Sequence, residues 1–251
     1  MATNFEKQMA NREVCDMIFV NYKTKKPFLS VDYANTSSVE LTGENVYAYG
    51  GKGHPKKVTF SGEKGGTMTV ETQIQTPKLW ELMSGGTSSN TASYIKRIET
   101  KVGSTSKITL EETNTIDAGS VCVYKADDTE LKTELKSTVS GKDITLTDSD
   151  SVTEGTPVVV FYGVTRQDVY NINIKSTSFP KAFAVYGDTY MKTEDDDILP
   201  YRLTVYKAVP QPNMTLSFAN NGDPGTVTIT LDLMEDKNHN MVDLTLLPEE
   251  E

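Results

Sequence analysis

A chain of 251 residues with 25 Lys and Arg against 35 Asp and Glu, net charge −10, is poorly suited to gripping nucleic acid, which needs clustered positive charge. Its 37% apolar residues can fill one large or two modest cores, yet no run approaches the ~20 apolar residues of a membrane-spanning helix. The N-terminal stretch MATNFEKQMANREVCDM lacks the apolar segment of a secretory signal, and Cys15 and Cys122 form no metal-ligand motif and read as free thiols of a reducing compartment.

Residues 1–16 are polar and mixed in charge, the composition of a flexible arm. Met17–Tyr22 and Phe28–Tyr33 read as apolar-rich strands around a Lys-rich turn, and Ser37–Leu41 leads into the most informative stretch, Val39–Gly86. There, Asn45–Tyr49 reads as a strand, Gly50–Gly53 as a turn and Lys56–Phe60 as a second strand. Ser61–Gly66 reads as another turn, before the strict alternation of Gly66–Gln75. Met68, Val70, Thr72 and Ile74 fall on one side of that alternation; Thr69, Glu71 and Gln73 fall on the other. A short helix follows, with Thr76 as N-cap, Pro77 at the first helical position and Leu79, Trp80 and Leu82 as core anchors, stopped by Gly85 and Gly86.

The order of strand, Gly-rich turn, strand, turn, long alternating strand and Pro-started helix, TGENVYAYGG…PKKVTFSG…GGTMTVETQIQTPKLWELMSGG, resembles the major tail tube proteins of long-tailed bacteriophages. The match covers Thr42–Gly86, with a weaker one over Gly225–Met234, together about a quarter of the chain, and it lies in pattern more than in invariant residues. The resemblance implies a mainly β subunit, a tail-tube-type β-sandwich or half-barrel, that closes into a ring, most often hexameric. Rings would stack into a tube conducting viral DNA in the virion tail, assembled in the host cytoplasm. It also implies partners: other copies of the chain, a tape-measure protein and transiently DNA in the lumen, tail terminator and baseplate or tip proteins, and a sheath if the tail contracts. No cofactor, metal or membrane enters this reading.

After the helix, Thr87–Thr91 reads as a Ser/Thr/Asn loop and Tyr94–Thr100 as extended. From Lys101 the character changes: short runs at Ile108–Glu112, Val121–Tyr124, Leu131–Leu135, Ile144–Thr147 and Pro157–Tyr162 alternate with turn clusters. That spacing points to a small β-sandwich over 101–164, similar to the immunoglobulin-like modules of many phage structural proteins, inserted between core segments 1–100 and 165–251. The other reading is that these strands extend the main sheet. Projecting outward, such a module would compete with a sheath, which favours a non-contractile tail.

Alternation returns in Val169–Lys175, Tyr201–Lys207 and Gly225–Leu233. Their apolar sides, Ile172, Ile174, Leu203, Val205, Val227, Ile229 and Leu231, join Met68, Val70 and Ile74 as the expected core. Their polar sides supply Asn171, Asn173, Thr228 and Thr230, which with Thr69, Glu71 and Gln73 form the expected lumen lining. A hydroxyl-, amide- and carboxylate-bearing wall would repel phosphate and let DNA slide.

Catalytic candidates are thin. His54 and His239 lie in apparent turns, no nucleophile elbow or zinc motif occurs, and Gly50–Gly53 lacks the spacing of a phosphate loop. Glu194–Asp197 and Glu235–Asn240 are acidic loops; the second has oxygens at alternate positions but lacks the glycine and closing glutamate of a calcium loop. Three rival readings remain: a capsid decoration protein, a surface or carbohydrate-binding module, and, least supported, an enzyme.

Overall fold

The computed structural model describes residues 7–147, 152–216, 220, 222 and 224–247, which are mainly β: fifteen strands, one α-helix and a 3-10 turn at Ser104–Ser106. The chain divides into two units, Met1–Thr87 with Ile174–Glu251, and Ser88–Asn173.

The first unit is built on one antiparallel sheet. Its strands are β1 (Met9–Ala10), β2 (Asp16–Asn21), β3 (Pro27–Val31), β4 (Thr36–Tyr49), β5 (Lys56–Thr72), β12 (Phe183–Thr193), β13 (Ile198–Pro210), β14 (Val227–Leu233) and β15 (Val242–Leu246). They run in the order β3-β2-β12-β13-β14-β5-β4, with β1 also on β12 and β15 also on β13. The sheet forks at β13: Tyr201–Val205 pair with β15, whereas Ala208–Pro210 pair with β14. Both sides of β13 feed a single core: Met17, Phe19 and Val185 come from β2 and β12, and Met68, Val70 and Ile229 from β5 and β14, so the sheet folds over itself.

Period-two patterning explains most of this core, since Val227, Ile229 and Leu231 alternate inward against Met68 and Val70. Three expected core residues depart from it. Ile74 is exposed because β5 ends at Thr72, whose buried hydroxyl accepts the Ile74 N–H (3.0 Å) and donates to the Tyr33 carbonyl (3.2 Å), turning the chain outward. Ile172 is half-buried in the other unit, and Ile174 is exposed just past the end of a strand.

Helix α1 (Pro77–Ser84) has the expected bounds. Thr76 Oγ1 accepts the Leu79 N–H at 3.3 Å, Pro77 opens the first turn, and Gly85 closes it in the left-handed region with φ 65°. Leu79, Leu82 and Met83 are buried; Trp80 is half-buried and donates its indole N–H to Gln75 Oε1 at 3.1 Å. The larger ring lies outside because the stripe that meets the sheet passes through positions 79, 82 and 83.

Two expected breaks are continuous strand, and the expected free arm is tied down. Ser61–Gly66 is not a turn but the middle of β5, which pairs with β4 through a register shift between Gly43 and Asn45. A Cβ on Gly62 or Gly66 would meet the Glu44 or Glu40 carbonyl oxygen at 3.0 and 2.9 Å, so these glycines permit close pairing at the bulge. Residues 7–16 do not hang free: the Glu194 N–H donates to the Gln8 carbonyl, Asn11 Nδ2 to that of Tyr190, and Lys7 pairs with Asp195 and Asp197. The first six residues of the expected arm lie outside the described residues. Thr87–Thr91, expected as a loop, begins β6 (Thr87–Lys101).

The second unit contains β6, β7 (Lys107–Thr109), β8 (Thr115–Lys125), β9 (Ser137–Ser140), β10 (Asp143–Leu146) and β11 (Pro157–Asn173). Two three-stranded sheets, β7-β10-β9 and β6-β11-β8, enclose Ile108, Val123, Ile144, Val158 and Tyr162. The Val102 hydrogen bonds with Thr156 and Gly155, and the Ser93–Thr165 hydroxyl pair at 2.7 Å, set β6 antiparallel to β11. Because β11 runs unbroken from 157 to 173, a boundary at 164 would fall inside a strand; the chain divides instead at 87/88 and 173/174. Leu131–Leu135 contributes only the isolated bridge of Glu134 to Tyr124, and the Asp117–Gly119 cluster is absorbed into β8.

Candidate assembly surfaces

Register assembles part of the expected polar face. Thr228 lies opposite Glu71, and Glu71 opposite Thr36; the next row is Thr230, Thr69 and Ser38, and the next Asp232, Thr67 and Glu40. Nine side chains on three strands thus share the face opposite Met68, Val70 and Ile229. The patch carries three carboxylates, six hydroxyls and no cation. Thr36 donates to Glu71 at 3.1 Å, and Gln211 Nε2 to Asp232 at 2.8 Å. Such a surface offers weak hydrogen bonds and a negative field, and it contains no nucleophile paired with a base.

The other three expected lining residues are not in this patch. Gln73 follows the end of β5 and is exposed; Asn171 and Asn173 belong to β11 in the second unit. Alternation assigns a residue to a side of its strand but does not say which strands adjoin, and that information was missing from the sequence.

A second surface escaped sequence reading because Ser61–Gly66 looked like a turn. Beyond Leu41 and Gly66, β4 and β5 continue as a two-stranded hairpin with both faces largely exposed. Val46 pairs with Phe60 and Ala48 with Val58, a ridge in which Val46, Phe60 and Val58 are 62%, 57% and 49% exposed. On the opposite face Tyr47 stacks obliquely near Tyr49, and Lys56 Nζ lies 3.6 Å from the Tyr47 ring centroid. Apolar β-branched and aromatic residues flanked by glycines at positions 43, 62, 65 and 66 were the available signal.

A third feature is an apolar groove of about 280 Å³ lined by Val39, Leu41, Met68, Met191, Tyr201 and Leu244, with Glu13 as its one charged lining residue. The Tyr190 hydroxyl donates to Glu13 at 2.9 Å.

The acidic loops are internally occupied. Lys7 bridges Asp195 (2.6 Å) and Asp197 (3.1 Å), and Lys192 pairs with Asp196 at 2.7 Å. Asp236 accepts the N–H groups of Asn240 (2.9 Å) and Asn238 (2.8 Å), which hold its carboxyl below the usual range. Among the described residues no group of three or more His, Cys, Asp or Glu is placed to hold a metal ion. His239 Nδ1 lies 2.9 Å from Glu235, which raises its pKa, and His54 occupies the hairpin turn; each has positive φ. No helix among the described residues is long and apolar enough to cross a membrane.

The sequence model of the YomU/Tube protein family matches residues 11–245. No curated protein matches the chain.

Proposed function

Because the chain belongs to the YomU/Tube family, phage tube proteins of a structural kind, we propose that it is the major tail tube subunit, closing into hexameric rings that stack around a DNA-conducting channel. The observation that carries this reading beyond the family is the patch of Thr228, Glu71, Thr36 and their neighbours, a cation-free hydroxyl and carboxylate face on a folded-over sheet. Facing the bore, it would repel phosphates and offer no strong grip, so DNA slides. Asn171, Asn173 and Gln73 have no part in that lining. The tape-measure protein would occupy the bore before DNA does, and terminator and tip proteins would cap the two ends. The chemistry of the subunit is association, not catalysis.

Electron microscopy of the concentrated protein tests the assembly, with rings or tubes around an open channel as the expected result. The lining is tested by Thr228→Lys combined with Thr230→Lys. Both side chains point away from the core, so tubes should still form, while new cations along the bore hold phosphate and DNA delivery falls. Unchanged delivery from variant tubes would place this face elsewhere.

A further inference from the structure

The hairpin ridge and the apolar groove are two unpartnered surfaces on the same unit. The hairpin, residues 42–65, carries Lys52, Lys56, Lys57 and Lys64 against Glu44 and Glu63, a charge of +2 where the whole chain carries −10 and the remainder therefore −12. The groove has the complementary character: mainly apolar walls with Glu13 as the one charged residue in its lining. Leu41, at the base of the hairpin, borders the groove. The alternation of β4 is unbroken because the extra residue of the bulge lies on β5, so Val46 projects from the face opposite Leu41. A chain therefore cannot turn its own ridge into its own groove, and the ridge needs the groove of another molecule.

We propose that the Val46–Ala48–Val58–Phe60 ridge of one copy seats in the groove between Leu41, Met68, Tyr201 and Leu244 of a second copy. The lysines at the hairpin tip would lie near Glu13 of the groove. The contact is heterologous, one surface of a copy meeting a different surface of the next, and such contacts build closed rings or open stacks rather than isolated dimers. It removes from water three large side chains that are about half or more exposed, and it covers the outer edge of β4. The proposal rests on the reading of the chain as a self-assembling tube subunit, and names the surfaces that join.

The test places p-benzoylphenylalanine at Phe60 in the full chain, irradiates the assembled protein and maps the adduct by mass spectrometry. Adducts between two chains on Met191, Tyr201 or Val242–Leu246 are expected. Adducts confined to one chain, or mapping to other surfaces of a second chain, overturn the seat while leaving assembly standing. Phe60→Asp and Leu244→Arg, both at exposed positions, should each raise the concentration needed for assembly about tenfold or more without lowering the melting temperature. Assembly unchanged in both variants overturns the proposal. A wild-type chain that stays monomeric at every concentration overturns the self-assembling reading itself, and the seat with it.

Discussion

Gly85→Ala is expected to lower the melting temperature of the first unit by about 6–12 °C, read through the fluorescence of Trp80, the only tryptophan. Two costs coincide at this position. Gly85 has φ 65°, a conformation that costs a residue with a Cβ about 1–2 kcal/mol. The added Cβ would also lie 2.4 Å from the Phe179 carbonyl carbon, 2.5 Å from Pro180 N and 2.6 Å from the Phe179 oxygen. Those are backbone atoms, which cannot rotate away as a side chain can, so about 1–3 kcal/mol of overpacking adds to the strain. The total is about 3 kcal/mol. It acts through the Gly85 N–H to Glu81 carbonyl bond (3.0 Å) that ends α1, and so on the seating of Leu82 and Met83 in the core. Gly51→Ala separates the two costs. Gly51 has φ 87° with open space around it, so only the backbone term remains, about 1–2 kcal/mol at most. Equal losses in the two variants would show that the chain at Phe179–Pro180 does not press on the helix end.

The helix shows what local sequence can fix. Its cap, its first-turn proline and its terminating glycine act within a few residues of one another, so the bounds of the helix were legible, though not that Trp80 lies outside its buried stripe. The alternating strands were legible as two-sided elements for the same reason: Val227, Ile229 and Leu231 needed no partner to be recognised as one face. What failed was everything that depends on pairing. The glycines at 62 and 66 looked like punctuation because their role, letting β5 lie close to the carbonyls of β4, exists only once the two strands are joined. The shared polar face was legible only in part: Thr228 and Thr230 do pair with Glu71 and Thr69, while Asn171 belongs to a strand of another unit with the same alternation. The hairpin ridge was missed for a related reason. An apolar residue in a strand reads as core by default, and Val46, Val58 and Phe60 depart from that default because none of the described residues covers them.

Acid should weaken the second unit before the first, and Glu112 is the group responsible. Its carboxylate is 4% exposed, with Lys96 Nζ at 2.8 Å, Asn114 Nδ2 at 2.7 Å, the N–H groups of Thr113 and Asn114 at 3.0 and 3.1 Å, and the Tyr162 hydroxyl at 3.2 Å. Lys96 first, then the Asn114 backbone and side chain, hold its pKa down at about 2, against an ordinary value of 4.5. A carboxyl whose pKa is depressed on folding contributes stability that is complete above its unfolded value and disappears as pH falls through the folded one. The loss therefore falls between about pH 4.5 and pH 2. Lys96 is shifted upward, so its share fades only as pH rises beyond 10.5 and does not blur the acid limb. Glu112→Ala strands the Asn114 amide and the buried Tyr162 hydroxyl at neutral pH, while Lys96, its side chain 41% exposed, can turn to water. The expected loss is about 3 kcal/mol, or ~12–24 °C for a unit of this size. Circular dichroism of the variant should show an early transition that Trp80 fluorescence, which reports the first unit, does not follow. Glu112→Gln should in addition flatten the slope between pH 4.5 and pH 2, because the group that takes up the proton is gone. If the slope survives in Glu112→Gln, the acid sensitivity belongs to other carboxylates and the network around Tyr162 does not hold the second unit together.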